Sequence, residues 1–156
     1  LKSYSNAKFV LAGSGVELSN TNLEDLIVKY DLGNYVLLLG ERSDVERIHA
    51  SLDIACSTSL WGEGFSNALG EALMMGTICA ATDVGDSKAV VGDSGVIVSP
   101  GSALDFAEGL SLIASFGKEK RNLIGGEAKL RIKKFYSLSG ISKQYHELYT
   151  HLLTEN

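Results

Sequence analysis

Apolar residues along the chain fall into short runs, each separated from the next by a glycine turn or by a helix-start signal. The run Ala7 to Ala12, ending in Gly13-Ser14-Gly15, reads as a buried strand and a tight turn. Thr21 and Glu24 read as a capping box, followed by Leu23, Leu26, Ile27 and Tyr30 at helical spacing. Gly33-Asn34 ends that helix, and Tyr35 to Leu39 forms a second strand closed by Gly40. Ser43 and Glu46 read as another capping box over a short helix to about Ala50, before a third strand from Leu52 to Cys56. A polar loop then runs from Ser57 to Glu63. Ser66 is expected to cap a helix with Ala68, Leu69, Ala72, Leu73 and Met75 toward one side, ended by Gly76. A fourth strand, Thr77 to Thr82, leads into Asp83-Val84-Gly85-Asp86, and a fifth runs from Gly95 to Val98. Beyond Pro100-Gly101, Ser102 and Asp105 start a helix, and the chain reads as helical to Leu153 with Gly125-Gly126 as a weak point or break.

Strands that are apolar throughout, alternating with helices, call for a parallel sheet covered on both faces. The expected architecture is α/β: a doubly wound, Rossmann-like, mainly parallel sheet with helices on both faces, forming one domain over residues 1–156. No internal repeat or low-complexity linker interrupts it. Such sheets bind ligands beyond the carboxyl ends of their strands. The loops at Gly13–Gly15, Gly40–Arg42, Ser57–Ser66 and Asp83–Asp86 are therefore expected to share one rim.

Composition narrows the class. Apolar residues make up 45% of the chain, ordinary for a folded domain and far above a disordered one. The apolar runs are too short to span a bilayer. No charged n-region followed by an apolar h-region opens the chain, so the cytoplasm is expected, or a peripheral position on the inner face of its membrane. Cys56 and Cys79 both sit in apolar stretches and read as buried small hydrophobes in a reducing compartment, not as a disulfide framework. The net charge of −5 conceals a basic C-terminal quarter, where residues 118–156 carry 8 Lys/Arg against 4 Asp/Glu. Two readings are open for Lys118, Lys120, Arg121, Lys129, Arg131, Lys133 and Lys134: the solvated face of surface helices, or contact with an acidic membrane surface or partner. Nucleic acid is not expected, because no groove-reading motif or aromatic interleaving accompanies the charge.

The chemistry concentrates between Trp61 and Gly76. Glu63 lies in a loop just before a helix start, and Glu71 lies a little over one turn into that helix. The backbone N–H groups of Gly64 to Asn67 are the unpaired donors of the helix N-terminus, which with the helix dipole make a seat for a phosphate or diphosphate. Carboxylates beside such a seat suit hydroxyls, since ionised carboxylates are strong acceptors for O–H groups. One could hold a sugar and the other a ribose. Equally open from spacing alone, Glu63 caps the helix and Glu71 is a solvated helix residue.

This segment resembles the E-x7-E motif of the family-4 retaining glycosyltransferases, with E-G-F, a helix, and then E-A-hydrophobic-x-x-G. The likeness extends through Ala80 to Ser87, Val91 to Val98 and Pro100-Gly101. Upstream it takes in Leu39 to Val45, and downstream Phe135-Tyr136-Ser137 and Tyr145 to Tyr149. It covers roughly residues 7 to 149 in order. The resemblance implies one half of a GT-B fold, the domain that binds the UDP- or GDP-sugar donor. The acceptor would be held by an N-terminal domain outside this sequence, and the chain alone is expected to be inactive. No metal or other cofactor is implied.

By that resemblance Glu63 contacts the donor sugar near the reacting carbon, and Glu71 holds the ribose hydroxyls. Gly64, Phe65, Ser66 and Asn67 match the loop and helix start that meet diphosphate and sugar. Gly40, Glu41 and Arg42 match the loop beside the nucleobase, and Gly13 a glycine turn at the cleft rim. The sequence departs from the family in three ways. The family's opening strand, with a basic pair clamping the diphosphate, has no match, and Lys2 and Lys8 do not fit its setting. The acceptor domain with its histidine is absent. Ile78-Cys79 replaces the common Pro-Val.

Other features have two readings. Trp61 could stack on a sugar or base, or pack against its own loop. Ser57-Thr58-Ser59 could touch phosphate, or satisfy loop backbone. His49, His146 and His151 are scattered and make no metal site. Gly13-Ser14-Gly15 lacks the third glycine of a dinucleotide fingerprint, with Leu18 in its place. Two rivals remain. A GT-B nucleotide-sugar epimerase would need acid/base groups near the sugar. A flavodoxin-like binding module of receiver type would want an acidic pair and a phosphorylatable aspartate where Gly13–Gly15 and Cys56-Ser57 stand.

Overall fold

The computed structural model describes residues 4–154, so Lys2 and the two ends of the expected domain lie outside the described residues. The elements in order are β1 (Phe9–Leu11), α1 (Thr21–Lys29), β2 (Val36–Leu38), α2 (Val45–Ser51), β3 (Ala55–Ser57) and α3 (Asn67–Met74). They continue with β4 (Cys79–Thr82), α4 (Ser87–Val91), β5 (Gly95–Val98), α5 (Ala103–Ser115), α6 (Lys118–Phe135) and α7 (Leu138–Thr154). Every strand pairing is parallel, as the uniformly apolar runs predict. The pairs form two sheets, β1-β2 and β3-β4-β5, instead of one continuous ladder. The chain divides into two compact units between Val45 and Glu46.

In the first unit β1 and β2 run in register from Phe9 opposite Val36 to Leu11 opposite Leu38. The N-cap of α1 is Asn20, whose side chain accepts from the Leu23 amide, and not Thr21 of the expected capping box. Asn is as good a cap as Thr, and the local turn decides between neighbours. Leu23 and Ile27 are half-buried while Leu26 and Tyr30 are exposed, so the apolar stripe is narrower than its spacing suggests.

The second unit is organised by β4, the central strand of its sheet. Side chains alternate across a strand, so Cys79 and Ala81 enter one core with Leu69, Ala72, Leu73, Val90, Val91, Ala128 and Ile132. Ile78 and Ala80 enter a second core with Ile113 and the half-buried Val96, Phe106, Leu110 and Ile124. The first core is closed by α3, α4 and α6, the second chiefly by α5. Helices therefore cover both faces of this sheet. Small residues at Ala80 and Ala81 let them approach closely.

Several local expectations are revised. Desolvation pushes both thiols up, Cys79 to about 12 and Cys56 to about 11, but only Cys79 is buried, and Cys56 on edge strand β3 keeps an exposed surface. On α3 the buried residues are Leu69, Gly70, Ala72 and Leu73, while Ala68 and Met75 are exposed. The five-residue α4 has no periodic signal long enough to announce it. Ser102 does cap α5, accepting from the Asp105 amide at 3.2 Å. The Gly125-Gly126 pair does not break the last region, since α6 runs unbroken through it and the breaks fall at Phe116–Gly117 and Tyr136–Ser137. Gly125 is buried against the backbone of Gly76, so its lack of a side chain serves packing. Two of the basic residues are spent inside the unit. Arg121 pairs with Asp53 at 2.9 Å. Arg131 donates to the Ala89, Val90 and Val91 carbonyls, a positive group on the carbonyl end of α4. No described helix is long and apolar enough to cross a membrane.

Candidate functional site

The loop bearing Glu63 leaves the carboxyl end of β3 and is held from two sides, by the last residue of β4 and by the turn that follows it. Thr82, the last residue of β4, is buried and donates its hydroxyl to the Ser59 carbonyl at 2.6 Å. The Ser59 hydroxyl in turn donates to Glu63 Oε1, also at 2.6 Å. On the far side, the Asp86 amide donates to the Gly64 carbonyl at 3.0 Å. Between them Gly85 sits at φ +57, and any Cβ there would collide with the carbonyl oxygens of Glu63 and Gly64. Glycine is needed at 85 both for its backbone angle and for this approach. The Ser59 side chain is thus engaged with Glu63 and not with loop backbone. Its hydroxyl orients the half-buried Glu63 carboxylate.

From Glu63 the chain enters α3. Ser66 occupies the N-cap position and is buried, but its side chain makes no capping hydrogen bond. The first-turn N–H groups of α3 therefore lack the partner that a capping serine usually supplies. That is the donor set an anion would complete. Asn67 opens the helix exposed, and Phe65 turns its ring against Tyr136, centroids 5.4 Å apart, and over Gly70. Phe65, Asn67, Gly70, Glu71, Lys133 and Tyr136 all border an open groove of about 240 Å³ between α3 and α6. Glu71 projects from the same helix with its side chain about half exposed, and its Oε2 lies 3.7 Å from His49 Nε2. His49 Nδ1 is buried without a hydrogen-bond partner. A proton on Nε2, facing the carboxylate, is then the favourable tautomer. The pairing of His49 with Glu71 carries no sequence signal, because the two stand on different helices 22 positions apart.

In the first unit the two expected loops do come together. The Gly13 amide donates to the Gly40 carbonyl at 2.8 Å, and the Gly40 amide to the Val16 carbonyl at 3.0 Å. Glu41 is exposed. Arg42 is engaged by Asp44, with Nε 2.8 Å and Nη2 2.9 Å from its two carboxylate oxygens. That hydrogen bond, and then the charge itself, raises the Arg42 pKa. Its side chain thus turns toward its own loop. Lys8 is likewise occupied, donating to the Asn34 carbonyl. Trp61 is 78% exposed and does not pack against its loop. Among the described residues no group of three or more His, Cys, Asp or Glu side chains could hold a metal ion.

Comparison with known proteins follows the same lines. The family model described as "Glycosyl transferases group 1" matches residues 1–115. No curated protein matches the chain. Among solved structures, a glycosyltransferase from Rickettsia africae superposes with a TM-score of 0.84 at 22% identity, over 97% of this chain and 41% of its own. The Anabaena protein HepE, crystallised with UDP-glucose, gives 0.80 at 22% identity, over 94% of this chain and 42% of its own. Sucrose-phosphate synthase from Thermosynechococcus elongatus gives 0.78 at 22%, over 94% and 39%. The chain thus spans about two-fifths of the length of the structures it resembles. With more than half its length matched by that family model, the chain belongs to the group 1 glycosyl transferases, and its fold is that of a GT-B glycosyltransferase domain.

Proposed function

We propose that this domain binds a nucleotide-sugar donor, a UDP- or GDP-sugar, for glycosyl transfer with retention to an acceptor held by a separate N-terminal domain. The observation that carries the reading is the hydrogen-bonded Glu63 carboxylate, held at the entrance to a helix whose first-turn N–H groups have no side-chain cap. Diphosphate meets those N–H groups and the dipole of α3, which stabilise the charge of the leaving group without a metal. Gly64, Phe65, Ser66 and Asn67 line that seat. Glu63 stands beside the anomeric carbon, where its negative charge opposes the positive charge that develops in the transition state. Glu71 holds the ribose hydroxyls and so sets the register of the donor. The roles of Gly13, Gly40, Glu41 and Arg42 around the nucleobase rest on the family resemblance. That the Anabaena neighbour was crystallised with UDP-glucose supports a uridine donor as the first to try. A cytoplasmic setting, with nucleotide sugars at hand, belongs to the same reading.

Glu71 gives the test. Its contacts to ribose are made equally in ground and transition states, so Glu71→Gln in the full-length protein should raise the donor KM and leave kcat nearly unchanged. The expected loss is about 1.5–3 kcal/mol, on the order of ten- to a hundredfold in KM. Steady-state kinetics with saturating acceptor and a panel of UDP- and GDP-sugars reads both quantities. A fall in kcat at constant KM would overturn the assignment.

A further inference from the structure

We propose that Ser59 is a positioning residue for the transfer reaction, acting through Glu63. The inference rests on the role given to Glu63 above and assigns a function to a residue that the family motif does not include. A glutamate side chain turns about three bonds, and its carboxylate holds one orientation only if a partner fixes it. Ser59 supplies that partner with a bond of 2.6 Å to Oε1, a short distance typical of a hydroxyl donating to a charged oxygen. The bond occupies Oε1 and leaves Oε2 available to the sugar.

The donor is itself fixed. The Ser59 carbonyl accepts from the buried Thr82 hydroxyl, which belongs to the central strand of the sheet. This anchor uses the main chain of residue 59, so it survives any change of side chain there. Ser59→Ala removes the hydroxyl and keeps the loop. The backbone at Glu63 and Gly64 is held independently by Gly85 and the Asp86 amide. What the substitution frees is the carboxylate alone.

Kinetics of the full-length protein test this with four variants: Ser59→Ala, Ser59→Thr, Glu63→Gln and the double variant Ser59→Ala/Glu63→Gln. Ser59→Ala should lower kcat about tenfold, the scale of one hydrogen bond to a charged group, with donor KM little changed. Ser59→Thr, which restores a hydroxyl at the same atom, should recover most of that loss. The double variant should be no slower than Glu63→Gln alone, because Ser59 then has no charged partner left to orient. If Glu63→Gln slows turnover but Ser59→Ala does not, Ser59 has no such role and the reading of Glu63 stands. Full additivity in the double variant, or no recovery with threonine, would overturn the inference in the same way. If Glu63→Gln itself has no effect, the reading of Glu63 falls and this inference falls with it.

Discussion

Glu63→Gln is expected to lower kcat by about 10²–10³-fold while leaving donor KM close to its starting value. The substitution preserves size and keeps a carbonyl oxygen for the Ser59 hydroxyl, so the loop and its supports are undisturbed. In the proposed role it removes the negative charge at the point where positive charge would gather on the anomeric carbon. Only an interaction that strengthens on the way to the transition state accelerates the chemical step, and a charge opposite a developing charge is of that kind. Side-chain hydroxyl contacts of the ground state are weakened far less, which is why KM should hold. Steady-state kinetics on the full-length protein, run beside Glu71→Gln, separates the two glutamates. If Glu63→Gln raises KM and spares kcat while Glu71→Gln does the reverse, the two roles are exchanged. If neither matters, both are merely helix-end residues.

The largest expected effect on stability comes from Gly125→Ala. Gly125 lies where α6 crosses the turn that ends α3, and an added Cβ would fall deep inside the Gly76 carbonyl group. Both contacting parties are backbone, so neither can rotate away. Gly76 is moreover held at φ +84, a conformation other residues rarely adopt. Relief would require α6 to move off α3 and withdraw Ala128 and Ile132 from the core they share with Leu69 and Leu73. The cost should reach the upper end for overpacking, about 3 kcal/mol, and lower Tm on the order of 10 °C. Gly126 provides the control. It is exposed on the same helix with nothing within 4 Å of its would-be Cβ, and alanine there should stabilise by about 0.5–1 kcal/mol through helix propensity. Thermal melts of the two variants should therefore move in opposite directions. Equal melting temperatures for Gly125→Ala and the parent would mean that the helix crossing is not tight.

That contrast shows where sequence reasoning succeeds and where it stops. Strand β4 was legible because a strand buried throughout writes itself as a nearly unbroken apolar run, and Gly95–Val98 appears with the expected bounds, whereas β3 lies at Ala55–Ser57 instead of Leu52–Cys56. Propensity treats each glycine of the pair as a weak point, whereas helix crossing uses Gly125 for its lack of volume, and α6 runs on through both. Asn20 and Thr21 are equivalent candidates for a cap by chemistry, and only the turn geometry selects the first. Glu63 and Glu71 could be picked out because a helix start and a fixed spacing define them locally, and a family resemblance sharpened their roles. Their partners could not. Ser59 reaches Glu63 through a loop conformation, Thr82 reaches Ser59 across 23 positions, and His49 meets Glu71 across two helices. Arg131 reads as a solvated helix charge or a contact to an acidic surface or partner, and its bonds to the carbonyls of α4 escape the sequence because that helix is too short to read.

Both supports of the Glu63 loop descend from the carboxyl end of one strand, Thr82 on one side and Gly85-Asp86 on the other. That strand lies between β3 and β5 and feeds two cores at once. The loop is therefore tied to the end of that strand at two points, and it is expected to belong to the same cooperative unfolding unit as β4. In native-state hydrogen exchange the Asp86 amide, bonded to Gly64, should then exchange at the slow rate of the β4 amides and not at the fast rate usual for a surface loop. The carboxylate proposed to act on the sugar would thus be carried on the same unfolding unit as β4, and mutations that loosen the sheet should cost activity and folded protein together.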